Sequence, residues 1–232
     1  MKLAVISDIH GNIYALMKAL EDIDEQKVDK IICLGDLVGY GPHPNEVVAL
    51  IKRREIPCIK GNYDASVVDG DYTYIRNTSI NSFALPWASN EVRVANKYFL
   101  DSLPTSLKYT FNGVNFLFTH GSPNAINDYL FEDAANTIEV MNQLEDDILV
   151  CAHTHIPCAK KYGNKLLINV GSVGKPKIGK PNPTYAIIEI EDNGEVKVTF
   201  RYLEYEFKRI VKDCTMLNFP AAITSSYETG KE

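Results

Sequence analysis

The chain has 232 residues, enough for one large domain with a substantial core, and its 45% hydrophobic content is ordinary. A net charge of -6 argues against broad attraction to nucleic acid or to an anionic membrane, and leaves a small anionic substrate open at a locally positive site. The five cysteines form no CxxC pair, and the N-terminal apolar run is too short for a signal or a membrane span, so a soluble cytoplasmic protein is the expectation.

Leu3 to Ile6 reads as a buried strand, and Asn12 caps a helix whose Ile13, Leu16, Met17, Leu20 and Ile23 follow helical spacing. A second strand runs from Ile31 to Leu34, Gly35-Asp36 turns, and Pro44 starts a helix carrying Val47, Val48, Leu50 and Ile51. A short strand around Cys58-Ile59 leads into Gly61-Asn62-Tyr63-Asp64. These strand-turn-helix units predict a largely parallel sheet, with ligands gathered beyond the carboxyl ends of its strands.

Residues 70–104 break the pattern with Tyr72, Tyr74, Tyr98 and the only tryptophan, Trp87, and a helix is predicted from Asn90 to Leu100. This stretch is either an inserted helical cap or aromatic core covering the sheet edge. The second half is strand-rich: Leu107 to Phe111, Val114 to Thr119, Ile148 to Cys151, Pro157 to Tyr162, Leu166 to Val170, Tyr185 to Ile190 and Val196 to Tyr202. Asn112-Gly113, Gly163-Asn164 and Asn193-Gly194 are hairpin signals, and a helix is predicted near Glu132 to Leu144. The organisation expected is a single domain over 1–232, with 70–104 as the insertion.

Asp8, His10, Asp36, Asn62, His120, His153 and His155 each follow an apolar run closely. Asp8-Ile9-His10 and His153-Thr154-His155 share a spacing that puts both side chains on one face of a strand or together on the turn beyond it. Carboxylate, amide oxygen and imidazole without thiolate suit manganese, iron, zinc or magnesium, and so many ligands suit two ions. Asn62 has a second reading as an ordinary turn residue after Gly61.

Taken in order, Asp8-x-His10, Gly35-Asp36, Gly61-Asn62-Tyr63-Asp64, His120-Gly121 and His153-Thr154-His155 resemble the motifs of the calcineurin-like metallophosphoesterases. Gly35 to Pro42 and Asn169 to Gly174 look like the small bacterial and archaeal phosphodiesterase branch. The resemblance implies an α/β fold: a four-layer αββα sandwich of two mixed sheets, with the metals at its upper edge. It places Asp8, His10 and His155 on one metal, Asn62, His120 and His153 on the other, and Asp36 between them. Two divalent ions are implied, manganese first, with iron, zinc, nickel or magnesium as alternatives. The implied reaction is in-line attack of a bridging hydroxide on a phosphodiester or phosphoanhydride of a small nucleotide-like substrate, a dinucleoside polyphosphate among the candidates.

The family's usual Gly-Asn-His is Gly-Asn-Tyr here. Tyr63 carries a phenol, which titrates near 10 and gives up a proton less readily than imidazolium, so esters with poor leaving groups should react slowly. His43, on the same Gly-rich loop as Asp36, is either the substitute acid or a solvated loop residue. Lys175, Lys177 and Lys180 form a basic loop that either reaches a polyphosphate or keeps a hairpin soluble. Catalytic candidates are therefore Asp36, Asn62, Tyr63 and His43. The alternative function is a catalytically weak metal-binding scaffold of the same fold, and a homodimer is compatible with either.

Overall fold

The computed structural model describes residues 1–231. Two mixed sheets lie face to face. The first is built from β1 (Lys2–Ile6), β2 (Lys30–Cys33), β8 (Thr184–Ile190) and β9 (Val196–Tyr202), in the order β2-β1-β8-β9. The second contains β3 (Ser106–Phe111), β4 (Val114–Thr119), β5 (Ile148–Cys151), β6 (Cys158–Tyr162) and β7 (Lys165–Asn169), in the order β3-β4-β5-β7-β6. The helices are α1 (Ile13–Gln26), α2 (Pro44–Arg53), α3 (Asn62–Asp69), α4 (Ser79–Glu91), α5 (Val94–Ser102), α6 (Ala135–Gln143), α7 (Phe207–Met216) and α8 (Ala221–Thr229).

Alternation along the strands sorts these elements into four layers, because successive side chains leave a strand on opposite faces. Leu3 and Val5 of β1, with Ala186 and Ile188 of β8, meet Phe116, Phe118, Ile148, Val150 and Ile168 between the sheets. Ala4 and Ile6 point the other way, into a helical layer that includes Leu16, Ala19 and Ile23 of α1 and Val47 and Ile51 of α2. Leu149 and Cys151 leave β5 on the far face and pack beneath Val140 and Met141 of α6. Strands covered on both faces read as unbroken apolar runs, which is why β1 and β5 stood out in the sequence.

The expected parallel sheet is corrected. In the first sheet only β1 and β2 are parallel; β8 pairs antiparallel with β1, and the third predicted strand shrinks to a bridge between Cys33 and Cys58. In the second sheet β4, β5 and β7 are parallel, and hairpins add β3 and β6. The helix predicted from Asn90 to Leu100 is instead two helices, α4 and α5, separated at Val92-Arg93. Ala84, Leu85, Ala88 and Leu100 belong to the helical-layer core, and Trp87 and Phe83 pack edge-on against Phe219. The aromatic stretch is thus partly core, while residues 70–78 pass over the upper edge. Among the described residues no helix is long and apolar enough to cross a membrane.

Candidate metal centre

The loops at the carboxyl ends of β1, β2, β4 and β5 converge with the N-terminus of α3. Gly35 O accepts from Asp8 N at 3.0 Å and Asp36 O from His10 N at 2.9 Å, which locks the first two loops together. Ala152 N donates to His120 O at 2.9 Å and His153 N to Asp8 Oδ2 at 3.2 Å. Gly61, at the cap of α3, has no room for a side chain: a Cβ there would lie 2.1 Å from Asp36 Oδ1. Tyr63 N then donates to that oxygen at 2.8 Å. Asp64 clamps the same junction, accepting from Leu37 N (2.9 Å), Val38 N (3.3 Å) and Gly61 N (3.0 Å).

All seven predicted ligands come together, nearly or fully buried. Asp8, His10 and His155 form one cluster and Asp36, His120 and His153 another, with donor atoms within 4.8 Å of one another in each. His155 Nε2 lies 3.2 Å from Asp8 Oδ1 and 3.3 Å from His10 Nε2. Asp36 Oδ2 is 3.6 Å from His10 Nε2 and 3.4 Å from His120 Nε2, so it faces both clusters. Asn62 Oδ1 sits 2.9 Å from His120 Nε2. Donors sharing one ion at about 2.1 Å stand roughly 3.0–3.4 Å apart, close to these gaps.

Backbone carbonyls orient three of the rings. Nδ1 of His10 faces Val38 O at 3.1 Å, Nδ1 of His120 faces Leu34 O at 2.7 Å, and Nδ1 of His155 faces Lys175 O at 2.5 Å. A ring that donates through Nδ1 aims its Nε2 lone pair at the centre, as in protein metal sites. The Nε2 atoms of His10 and His155 then point lone pairs at each other, and Asp8 Oδ1, Asp36 Oδ2 and His153 Nε2 are buried without a hydrogen-bond partner. Buried polar atoms are normally satisfied. Cations between these atoms would satisfy them all, so the residues fit two divalent ions.

The charges agree. Burial disfavours the Asp8 carboxylate, but His155, His10 and His120 outweigh it and hold the group well below the usual range. Asp36 is likewise lowered, burial being offset by His120 and His10. Burial disfavours charge on His120 too, yet Asp36 and Asp8 push it up to about 10. Burial pushes His153 down to about 3 and His155 to about 4. Burial and Asp36 raise Asp64 to about 7.

The two acid candidates fare differently. Tyr63 lines the cavity above the cluster, but its hydroxyl is bonded to Tyr40 and, at 2.6 Å, to Asn81 Oδ1. Burial and the Tyr40 hydroxyl push its phenol well above the ordinary value. His43 lies off the cavity at the start of α2, its Nε2 2.9 Å from Asp213 Oδ2 and its ring edge-on to Tyr14. The loop is not brought round to the metals because His43 N is fixed to Gly11 O, so the structure does not place this residue in the site. Of the lysines, Lys177 lines the cavity and Lys180 is exposed. Lys175 is only 1% exposed, with Nζ 4.6 Å from the Tyr40 ring centroid, which corrects the reading of a wholly solvated loop.

The cavity measures about 330 Å³, and part of its wall was not legible: Tyr74, Arg76, Asn81 and Tyr129. Asp64 lay within a recognised motif, but its clamp was unforeseen. Nothing in the sequence around Tyr129 ties it to His153, whose ring centroid is 4.1 Å away.

The family model for the calcineurin-like phosphoesterase superfamily domain matches residues 1–193. An uncharacterized protein of Methanocaldococcus jannaschii, MJ0912, is 35% identical with 89% of each chain covered. The phosphodiesterase YfcE of Escherichia coli is 27% identical over 83% of this chain and 94% of its own. Among solved structures, a metallophosphoesterase from Sphaerobacter thermophilus superposes with a TM-score of 0.83 at 26% identity, covering 99% of both chains. The hypothetical protein PH1004 from Pyrococcus horikoshii reaches 0.89 at 23% identity, covering 100% of this chain and 99% of its own. The motifs, the two buried clusters and these matches agree: the chain belongs to the calcineurin-like phosphoesterase superfamily and is a metal-dependent phosphoesterase.

Proposed function

We propose that the protein hydrolyses a phosphodiester or phosphoanhydride bond of a small nucleotide-like substrate, a dinucleoside polyphosphate among the candidates, with manganese the first choice of metal. The observation that carries this reading is the set of buried, unpartnered donor atoms on Asp8, Asp36 and His153 beneath a cavity walled by Arg76 and Lys177. Asp8, His10 and His155 would hold one ion, Asn62, His120 and His153 the other, and Asp36 both. When bound, two divalent ions supply Lewis acidity, drawing charge from the phosphoryl oxygens and making water acidic enough to attack near neutral pH.

The chain's own residues do the rest. The carbonyls of Val38, Leu34 and Lys175 fix the imidazoles, so that little reorganisation is left for the reaction. Arg76 and Lys177 draw the anion in, and Tyr74, on the same wall, offers an aromatic face to a base or aryl group. Water adds to phosphorus, the bond to the leaving oxygen breaks with its electron pair, and the water proton passes to solvent. Tyr63, its phenol raised and tied to Tyr40 and Asn81, is poorly placed to protonate the leaving oxygen. Leaving groups that are stable anions, such as phenolates and phosphates, should therefore be favoured over alkoxides.

The test is an assay with manganese first among the metals, comparing a bis-aryl phosphate, an aryl monophosphate, an alkyl diester and a dinucleoside polyphosphate, on the parent and on Tyr63→His. Aryl and anhydride substrates should lead in the parent, and Tyr63→His should narrow the gap to the alkyl ester. Comparable aryl and alkyl rates in the parent would remove the leaving-group argument. No turnover with two ions bound would favour the scaffold reading. A reducing cytoplasm suits the five free cysteines, and light scattering checks for the homodimer.

A further inference from the structure

The segment between α3 and α4 is tied to the metal clusters by a circuit of bonds. Asn62 Nδ2 donates to Tyr74 O at 3.3 Å. The Tyr63 hydroxyl donates to Asn81 Oδ1 at 2.6 Å, and Asn81 Nδ2 donates to Arg76 O at 2.7 Å. Arg76 Nε and Nη2 donate to the Tyr129 hydroxyl at 3.1 and 2.9 Å, with the guanidinium carbon 4.6 Å from that ring's centroid. The Tyr129 ring rests 4.1 Å, centroid to centroid, from His153. The circuit leaves one candidate ligand, Asn62, and returns at another, His153. Arg76 is its permanently charged member, on the wall of the same cavity.

This arrangement gives Tyr63 work other than proton transfer. Its phenol holds Asn81, and Asn81 holds the backbone that presents Arg76. A guanidinium held against an aromatic ring loses less freedom when it binds an anion, and its five N–H donors can serve the Tyr129 hydroxyl and a phosphoryl group together. A simple phosphodiester carries one anionic phosphoryl group, which the two metal ions neutralise. Arg76, a ring's breadth beyond His153, is set for a second one.

Building on the phosphoesterase reading, we infer that Arg76 is a specificity-determining residue that takes a second phosphoryl group beside the scissile one, with Tyr63 and Asn81 as its positioning residues. The substrate class is then a nucleotide containing a pyrophosphate link, rather than a simple diester.

A matched pair of substrates tests this on the manganese-loaded protein: the aryl esters of a nucleoside 5′-monophosphate and of the same nucleoside 5′-diphosphate, which differ by one phosphoryl group. The parent should prefer the diphosphate ester in kcat/KM. Arg76→Met should cut that preference about 10- to 100-fold, and Arg76→Lys should restore part of it. Tyr63→Phe should cut it too, and the double variant should lose no more than Arg76→Met alone, because the two act through one contact. Calorimetry with methylenediphosphonate against methylphosphonate reads the same loss without turnover. An unchanged preference in Arg76→Met, by rate or by binding, overturns the assignment, and additive losses overturn the positioning role of Tyr63. If the parent turns over neither ester, the phosphoesterase reading fails separately, and binding alone decides for or against Arg76.

Discussion

Loading the site with metal should release the proton of His120, over and above any that metal-bound water and Asp64 give up. In the metal-free protein both nitrogens of this ring face acceptors: Nδ1 is 2.7 Å from Leu34 O, and Nε2 is 2.9 Å from Asn62 Oδ1 and 3.4 Å from Asp36 Oδ2. That geometry suits an imidazolium, and the Asp36 and Asp8 carboxylates push the ring up to about 10 against the cost of burial. His153 at about 3 and His155 at about 4 are already neutral at pH 7, and Asp8 and Asp36 are already ionised, so none of these has a proton to lose.

The magnitude follows. Between about pH 6.5 and 8.5, well below the His120 value, this proton alone should raise apparent affinity for the ion on that side about tenfold per pH unit, or about 1.4 kcal/mol. Titration calorimetry in buffers of different ionisation enthalpy counts the protons directly, and His120→Asn should lower the count by one. Stability gives an independent readout. A histidine raised above its unfolded value of about 6.5 stabilises the metal-free fold fully below that pH, and this contribution is lost as pH rises through about 10. Metal-free protein should therefore melt lower toward pH 9. Metal at about 1,000 times its Kd adds about 4 kcal/mol per site, or about 8–16 °C for a chain this size. A proton count that His120→Asn leaves unchanged would refute the assignment of charge to His120.

Three further outcomes are expected. Asp36→Asn should lower turnover at least about 100-fold on every substrate and reduce bound metal below two ions per chain, which elemental analysis checks. A Cβ at Gly174 would lie 1.8 Å from Ile9 O, so Gly174→Ala should cost more than about 2 kcal/mol and lower the melting temperature by roughly 4–8 °C, metal or no metal. Asp22 accepts from Tyr185 OH at 2.6 Å and from Arg201 Nε and Nη2 at 3.0 and 2.7 Å, and Arg201 and the Tyr185 hydroxyl hold its carboxyl below the usual range against burial. Its stabilisation is present above the unfolded carboxyl value of about 3.9 and lost on acidification below it, so Asp22→Asn should cost about 2 kcal/mol at pH 7 and flatten the acid limb of the stability curve.

The strands were legible where the environment is uniform. β4, β5 and β9 fall on the predicted spans because buried strands, or strands bounded by Asn-Gly turns, carry their own signal. The α4–α5 boundary was missed because the chain turns at Val92-Arg93 without glycine or proline, and Asn45, far off in sequence, accepts from Arg93 N at 2.9 Å. α7 went unpredicted although its signal is present, since Phe207, Ile210, Val211 and Cys214 recur at i, i+3, i+4 and i+7. Sheet order was beyond reach, as β8 joins β1 across nearly the whole chain and nothing local announces that partner.

The candidate ligands were legible for a reason that also constrains the backbone. Asp8, His10, Asp36, His153 and His155 all have φ between 48° and 64°, the left-handed region that costs a residue with a side chain roughly 1 kcal/mol or more. Glycine would sit there without that cost, and the chain does use it beside them, at Gly11 and Gly35. Five of the eleven non-glycine residues with positive φ among those described are candidate ligands, a concentration that accords with a need for their side chains. The strain follows from geometry, because a strand must turn sharply to hold neighbouring donors on one point, and the hydrogen bonds that Gly35 O, Asp36 O and Asp8 Oδ2 accept are what hold it. The residues that shape the substrate carry no such mark. Arg76 and Tyr129 lie in ordinary polar loops, and their meaning comes from a contact between segments that are remote in sequence. Reaction class is therefore written in short motifs, while substrate choice is written in tertiary contacts that only the folded chain brings together.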